Sequence, residues 1–329
     1  MTLTEWYADY GLSSRTTARR AQLELAREDD RIFSVENDLG LPAVPFDKEF
    51  PDRYLQVGIA EADQIGIAAG MAVRGKIPFV NTFAVFGTMR ACEQLRLDVC
   101  YNGAPVKVVG YYTGLSGGYA GPSHQCVEDI ALTTAMPGMT VLSPADAYET
   151  YLAVRAAAAH PGPVYLRASR GPTPAVYGAY RSPVEFRIGE AVVLRDNGDT
   201  GEATADVSIL ATGCQIVPMA LEAAELLADN GIRARVVNVH TLKPLDRAAI
   251  LAEARRSRLL VTYEDHNRIG GLGSLVAATV LGAHPVPVLS FGVPDQYCAQ
   301  TAEYDEMLVR YGLGPAQVTT AVLRWLSQH

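Results

Sequence analysis

"GIAEADQIGIAAGMAVRG", residues 58–75, is built almost wholly from Ala, Gly, Ile, Met and Val. Side chains this small let a helix lie very close to a sheet, so the stretch predicts a buried helix over 59–74 in an α/β fold. Glu61 sits near its first turn, with Asp63 and Gln64 beside it. A carboxylate there is stabilised by the helix macrodipole, by about 0.3–1 kcal/mol. The same placement suits a buried acid that protonates or orients a heteroaromatic nitrogen. The residues alone leave both readings open.

Outward from this helix the chain alternates. "RIFSVEND" (31–38), "IPFVNTF" (77–83), "PVKVVGYY" (105–112), "TVLSP" (140–144) and "PVYLRAS" (163–169) read as short strands. Helices are expected over 15–28, 87–102, 126–136 and 146–159. Such repetition predicts a mostly parallel sheet with helices on both faces. "RGPTPAVYGAYRSPVEF" (170–186) has no periodicity and is rich in Pro, Gly and Tyr, so it reads as a long connection. A second series follows, with strands at 206–212, 234–239, 258–264 and 286–292 and helices at 215–230, 246–256, 271–282, 303–311 and 315–327. The expected organisation is two α/β domains, 1–187 and 188–329.

The 329 residues are 49% hydrophobic and 19% charged, enough for large cores. A net charge of −8 argues against a partner held through nucleic-acid phosphates. No basic run suggests a membrane surface, and no apolar run reaches the roughly 18 residues of a span. The N-terminal stretch has no charged-then-apolar leader layout. The five cysteines, at 92, 100, 126, 214 and 298, include no C-x-x-C pair, so neither a disulfide framework nor a zinc site is indicated. A cytoplasmic enzyme or enzyme subunit is expected.

In open parallel sheets, ligands lie beyond the carboxyl ends of the strands. That rule selects Asn37 and Asp38, Phe83 and Phe86, the loop 111–125, Ser169 and Arg170, together with Glu61. The glycine-dense "TGLSGGYAGPSHQ" (113–125) is not a P-loop, and its glycines suggest close backbone approach to a ligand or a partner chain. His124 lies near its end. Arg15 and Arg170 are candidate anion binders, because guanidinium matches oxoanion geometry. "GGLGS" (270–274) lacks a full dinucleotide fingerprint and reads as a packing turn. H-E-x-x-H does not occur.

"RYLQVGIAEADQIGIAAGMAVRGKIPFVNTFAVFGTMRACEQLRLDVCYNGAPVKVV", "GPSHQCVEDIALTTAMPGMTVLSPADAYET" and "GPVYLRASRG" together resemble the pyrimidine-binding domain of transketolases. The likeness is strongest to the C-terminal subunit of split, two-gene forms. "HTLKPLD" (240–246) and "YEDHNRIGGLGS" (263–274) resemble the transketolase C-terminal domain. The resemblance implies thiamine diphosphate as cofactor and transfer of a two-carbon ketol unit from a ketose to an acceptor. It implies that Glu61, protonated in a dry site, holds N1′ of the aminopyrimidine, so that the 4′-amino group can remove the thiazolium C2 proton. Phe86 matches the aromatic stacked on that ring, Phe83 lies next to it, and Asp38 matches an acid near the cofactor. His124 matches an active-site histidine, and Arg15 and Arg170 match two arginines that grip a sugar phosphate.

Three departures stand out. Tyr119-Ala120 replaces a Glu-Asp pair, Tyr112 stands where many relatives have a phosphate-contacting His, and Pro42 lies near a phosphate-contacting Ser. The diphosphate and metal motif G-D-G is absent from the sequence; its near miss is "NGDTG" (197–201). The resemblance therefore implies half a site. Mg²⁺ (or Ca²⁺) and the diphosphate would be held by a separate N-terminal subunit, in an α2β2 heterotetramer. An E1β-like component feeding a lipoyl or acyl-carrier domain, and a catalytically silent scaffold, are the competing readings.

Overall fold

The computed structural model describes residues 2–39, 44–182, 185–196 and 204–329. Pro42 and the stretch 197–201 lie outside them. The described strands are β1 (Ile32–Glu36), β2 (Tyr54–Gln56), β3 (Ile77–Phe83), β4 (Lys107–Tyr111), β5 (Thr140–Leu142) and β6 (Val164–Ala168). They continue with β7 (Val192–Arg195), β8 (Ala205–Ala211), β9 (Ala234–Asn238), β10 (Thr241–Lys243), β11 (Ser257–Asn267) and β12 (Val288–Val293). One seven-stranded sheet runs β10-β5-β6-β4-β3-β1-β2 and one five-stranded sheet runs β12-β11-β8-β9-β7. Each is parallel except for one antiparallel edge strand, β10 in the first and β7 in the second.

The chain is thus two α/β units, but they are not simply consecutive. β10 follows β9 in the chain, yet it pairs with β5 of the first sheet. The core is shared as well: Leu115, Val127, Ala145 and Tyr177 pack in one cluster with Val207, Ile209, Val261 and Leu308. Between the units Arg167 donates to Asp129 (Nε to Oδ2, 2.8 Å) and to Asp265 (Nη1 to Oδ1, 3.0 Å), and Tyr304 donates to Asp265 at 2.5 Å. All three charged groups are buried, which is tolerable only because each is paired.

The helix Glu61–Val73 forms as the opening stretch predicts. Ile65, Ala68, Ala69 and Ala72 recur at helical spacing and are buried. Gln64 Nε2 donates to Val35 O at 2.8 Å and Asn81 O at 3.1 Å, fixing the helix to β1 and β3.

The continuous helix expected over 87–102 is not found. Its place is taken by a π-helical turn (Phe86–Arg90), a short α segment (Cys92–Gln94) and a second π-helical stretch (Leu95–Tyr101). Thr88 Oγ1 donates back to Ala84 O at 2.7 Å, a local bond that competes with regular helix geometry. Gly87 also lies so close to Thr82 that a Cβ would sit 2.5 Å from Cγ2. The helix Leu3–Tyr10, held by a Thr2–Glu5 capping box, was not among the expected elements.

The glycines of the 113–125 loop have a different use from the expected one. A Cβ on Gly114, whose φ is +56°, would fall 1.9 Å from Asp265 Oδ2, and one on Gly118 would fall 2.6 Å from Ala302 O. They allow close approach to the chain's own second unit. In "GGLGS" the packing-turn reading holds: a Cβ on Gly271 would lie 2.1 Å from Glu264 Oε2. Glu264 accepts from the backbone N–H of Leu272 at 2.6 Å and of Gly273 at 2.9 Å, at the start of the helix Leu272–Leu281. Burial pushes its carboxyl up to about 8, against the two amide bonds that lower it.

Candidate active site

The carboxyl ends of β3, β4 and β6 do converge, and they bring most of the selected residues together. Phe83 ends β3, and its ring lies 4.7 Å from Tyr112, 5.2 Å from His124 and 6.0 Å from Phe86 between centroids. His124 also meets Phe86 edge-on at 5.2 Å. Ser123 Oγ engages His124 Nδ1 at 2.9 Å, which leaves Nε2 for another partner.

Tyr112 follows β4 with a φ of 63°, the one non-glycine residue among those described with a positive φ. For a bulky side chain this conformation costs roughly 1–3 kcal/mol and points to a functional constraint. The strained turn is where two arginines meet. Arg15 Nη1 and Arg170 Nε each lie 3.3 Å from the Tyr112 hydroxyl. They come from distant parts of the chain, and the preceding residues explain the meeting: Ser169 N donates to Ser14 Oγ at 3.0 Å, locking the head of the helix Ser14–Glu28 to the end of β6. Arg170 further stacks on Tyr119, with Cζ 3.7 Å from the ring centroid.

The electrostatics of this cluster are lopsided. Among the described residues neither Arg15 nor Arg170 pairs with a carboxylate, and Arg15 Nε is buried without a hydrogen-bond partner. Burial pushes the Tyr112 phenol up, but bonds from Tyr119 and Arg170 and the two guanidinium charges outweigh it, leaving the phenol below its ordinary value. Tyr119 is raised, first by its bond to Tyr112. A group of two cations and an acidified phenol, with one N–H unsatisfied, is chemically suited to an oxoanion.

Glu61 is linked to Phe86 through Arg90. It is 2% exposed, and its Oε2 accepts from Arg90 Nη1 at 2.6 Å. Arg90 is half-exposed and spreads its guanidinium over Phe86, with Cζ 4.4 Å from the centroid. Asp38 differs from the rest: it is exposed at the end of β1 and, among the described residues, takes part in none of the contacts linking the others. Its neighbour Asn37 is buried instead, donating to Thr82 Oγ1 at 3.2 Å with its own Oδ1 unpartnered.

The sequence reading missed two features. One is Arg90, four residues after Phe86, a spacing that could have signalled the pairing. The other is a buried polar network behind the rim. Arg19 Nη1 donates to Glu36 at 2.7 Å, Asn81 Nδ2 donates to Glu36 at 2.8 Å, and the Tyr111 hydroxyl donates to Asn81 Oδ1 at 2.6 Å. A polar Asn81 in the middle of an apolar strand was its visible sign.

Paired α/β units carry a cluster of aromatic, cationic and acidic side chains beyond the carboxyl ends of the first sheet, and comparison with known proteins identifies the class. Residues 11–175 match the family model "Transketolase, pyrimidine binding domain" and residues 196–318 match "Transketolase, C-terminal domain". The chain belongs to the transketolase family. It is 40% identical to the 6-deoxy-6-sulfo-D-fructose transketolase subunit SqwH of Clostridium sp. (strain MSTE9), over 91% of this chain and 90% of that one. It is 35% identical to one of the subunits of the apulose-4-phosphate transketolase of Phocaeicola vulgatus (strain ATCC 8482 / DSM 1447 / JCM 5826 / CCUG 4940 / NBRC 14291 / NCTC 11154), over 93% and 95%. Among solved structures, a split gene transketolase described as an inactive beta4 tetramer superposes with a TM-score of 0.83 at 38% identity, covering 96% of this chain and 99% of that one.

The chain is accordingly a split-transketolase subunit, a transferase of the ketol-transfer type, and its family implies thiamine diphosphate. Transketolase-type transfer is favoured over the E1β-like and scaffold readings. No helix among the described residues is long and apolar enough to cross a membrane.

Proposed function

We propose that this chain is the pyrimidine-binding half of a two-chain transketolase whose ketose substrate ends in an oxoanion. The observation that carries the substrate class is the convergence of Arg15 and Arg170 on the Tyr112 hydroxyl, with Arg15 Nε buried and unpartnered. The names of two relatives fit that class: one refers to a sulfonated fructose and one to a sugar phosphate.

The donor set fits thiamine diphosphate. A buried carboxyl beside an aromatic face is what a flat, nitrogen-bearing ring needs, and a flat, nitrogen-bearing guanidinium already rests there. In this reading Glu61 holds the aminopyrimidine nitrogen and positions its proton, Phe86 supplies the ring face with Phe83 behind it, and Asp38 contributes from the end of β1. When bound, the cofactor supplies a nucleophilic carbon that carries the two-carbon unit. His124 exchanges a proton with a substrate hydroxyl through Nε2. Arg15, Arg170 and Tyr112 hold the anionic tail and so fix the distance from tail to carbonyl.

The partner is a separate N-terminal chain carrying G-D-G, which holds the diphosphate and Mg²⁺ (or Ca²⁺); the assembly is α2β2, cytoplasmic, with 1–187 and 188–329 as its working units here. Calorimetric titration of the isolated chain with thiamine diphosphate and Mg²⁺ tests this. Weak binding and no turnover are expected, and tight binding or turnover without a partner overturns the two-chain reading.

A further inference from the structure

Arg90 takes up both groups that the proposed function reserves for the aminopyrimidine. Its Nη1 bonds to the buried Glu61 carboxylate at 2.6 Å, and its guanidinium lies 4.4 Å over Phe86. The guanidinium and the aminopyrimidine are alike in the relevant respects: each is planar, carries N–H groups and stacks on an aromatic face. Glu61 is nearly sealed from water, whereas Arg90 is half-exposed. One partner is fixed and the other has room to leave. Arg90 also closes a π-helical turn, a rare form found mostly as single turns at functional sites.

We propose that Arg90 is a seat-holder: in the cofactor-free chain it occupies the carboxylate and ring face of the pyrimidine seat, and it must swing out to let the cofactor in. This inference rests on the proposed roles of Glu61 and Phe86. A buried carboxylate left alone is strongly unfavourable, so an arginine that pairs with it keeps the empty seat stable. The same pairing lowers the fraction of chains ready to bind and weakens apparent affinity by that fraction. A ring alone competes poorly against a tethered guanidinium; a ring whose diphosphate is gripped by a partner chain competes well. Arg90 thereby ties cofactor retention to assembly.

The test is calorimetric titration of the two-chain enzyme with thiamine diphosphate and Mg²⁺, using wild type, Arg90→Met and Glu61→Gln. Met keeps the apolar stem, and a melting curve reports separately the stability lost when the buried Glu61 is left unpaired. Arg90→Met is expected to tighten binding roughly three- to thirtyfold, the weight of one half-exposed ion pair and one cation–π contact. Unchanged or weaker binding overturns the seat-holder, since Arg90 would then be idle or supporting the ring. Deuterium exchange at C2 of the bound cofactor in Glu61→Gln separates the two ideas. Exchange at the wild-type rate overturns the Glu61 assignment beneath the proposal. Slowed exchange together with unimproved binding in Arg90→Met overturns the seat-holder alone.

Discussion

Glu61 and Glu264 are both buried glutamates beside the N-terminus of an apolar helix, yet they are partnered in opposite ways. Glu264 reaches from β11 to two backbone amides that cannot leave, and glycine at 271 lets the helix close down on it. Glu61 belongs to its helix and bonds a side chain that is half in water. Fixed donors make a carboxylate part of the architecture, while a displaceable donor makes it available to a ligand. The arginines repeat the contrast. Arg167 is locked between two buried aspartates, whereas Arg15 and Arg170 meet a phenol and, among the described residues, no carboxylate.

The sharpest way to break this comparison is to neutralise each glutamate. Glu61→Gln in the two-chain enzyme is expected to slow C2 exchange of bound cofactor by about 10²–10⁴-fold while leaving thermal stability near wild type. A large loss of stability would put Glu61 in the same class as Glu264. Glu264→Ala should do the reverse. It orphans two buried amides at about 1–3 kcal/mol each, so urea unfolding should register a loss of roughly 2–6 kcal/mol.

Among the arginines, Arg170→Ala is expected to lower kcat/KM for anionic ketoses by about 10- to 100-fold, from a lost charged hydrogen bond of about 1.5–3 kcal/mol, with no matching loss for a neutral ketose. Ordinary pentose phosphates should be poor substrates, because Tyr119-Ala120 stands where the resemblance places a Glu-Asp pair. Equal losses on charged and neutral ketoses would remove the anion role.

The smallest effect is in pH. The folded value for Glu264, about 8, lies above its ordinary 4.5, so the fold favours its neutral form. Stability from this source is full below about 4.5 and is lost as pH rises through about 8. Wild type should therefore melt lower at pH 9 than at pH 5 on this account, and Glu264→Gln should flatten the slope by a few degrees of Tm.

Much of this was legible in the chain. The helix at Glu61 followed from its small-residue pattern, and the rim residues followed from strand ends: Phe83, Tyr112 and Arg170 are where the alternation placed them. What escaped depended on contacts across the fold. Arg90 acquired its role from a π turn in place of the expected continuous helix, through local bonds of Thr88 and the fit of Gly87. The loop glycines face the second unit, which no local pattern reveals. Asp38 lies two residues beyond the end of β1 and is exposed, while Asn37 beside it is buried.

The short strand Thr241–Lys243 has a practical consequence for protein engineering. It completes the first sheet from within the second half of the chain. Exchanging C-terminal halves between relatives at the long connection near 188 would give each recipient a foreign edge strand, and removing the half outright would bare β5 as an open, sticky edge. A working chimera has to carry the strand's β5 contact surface along with it.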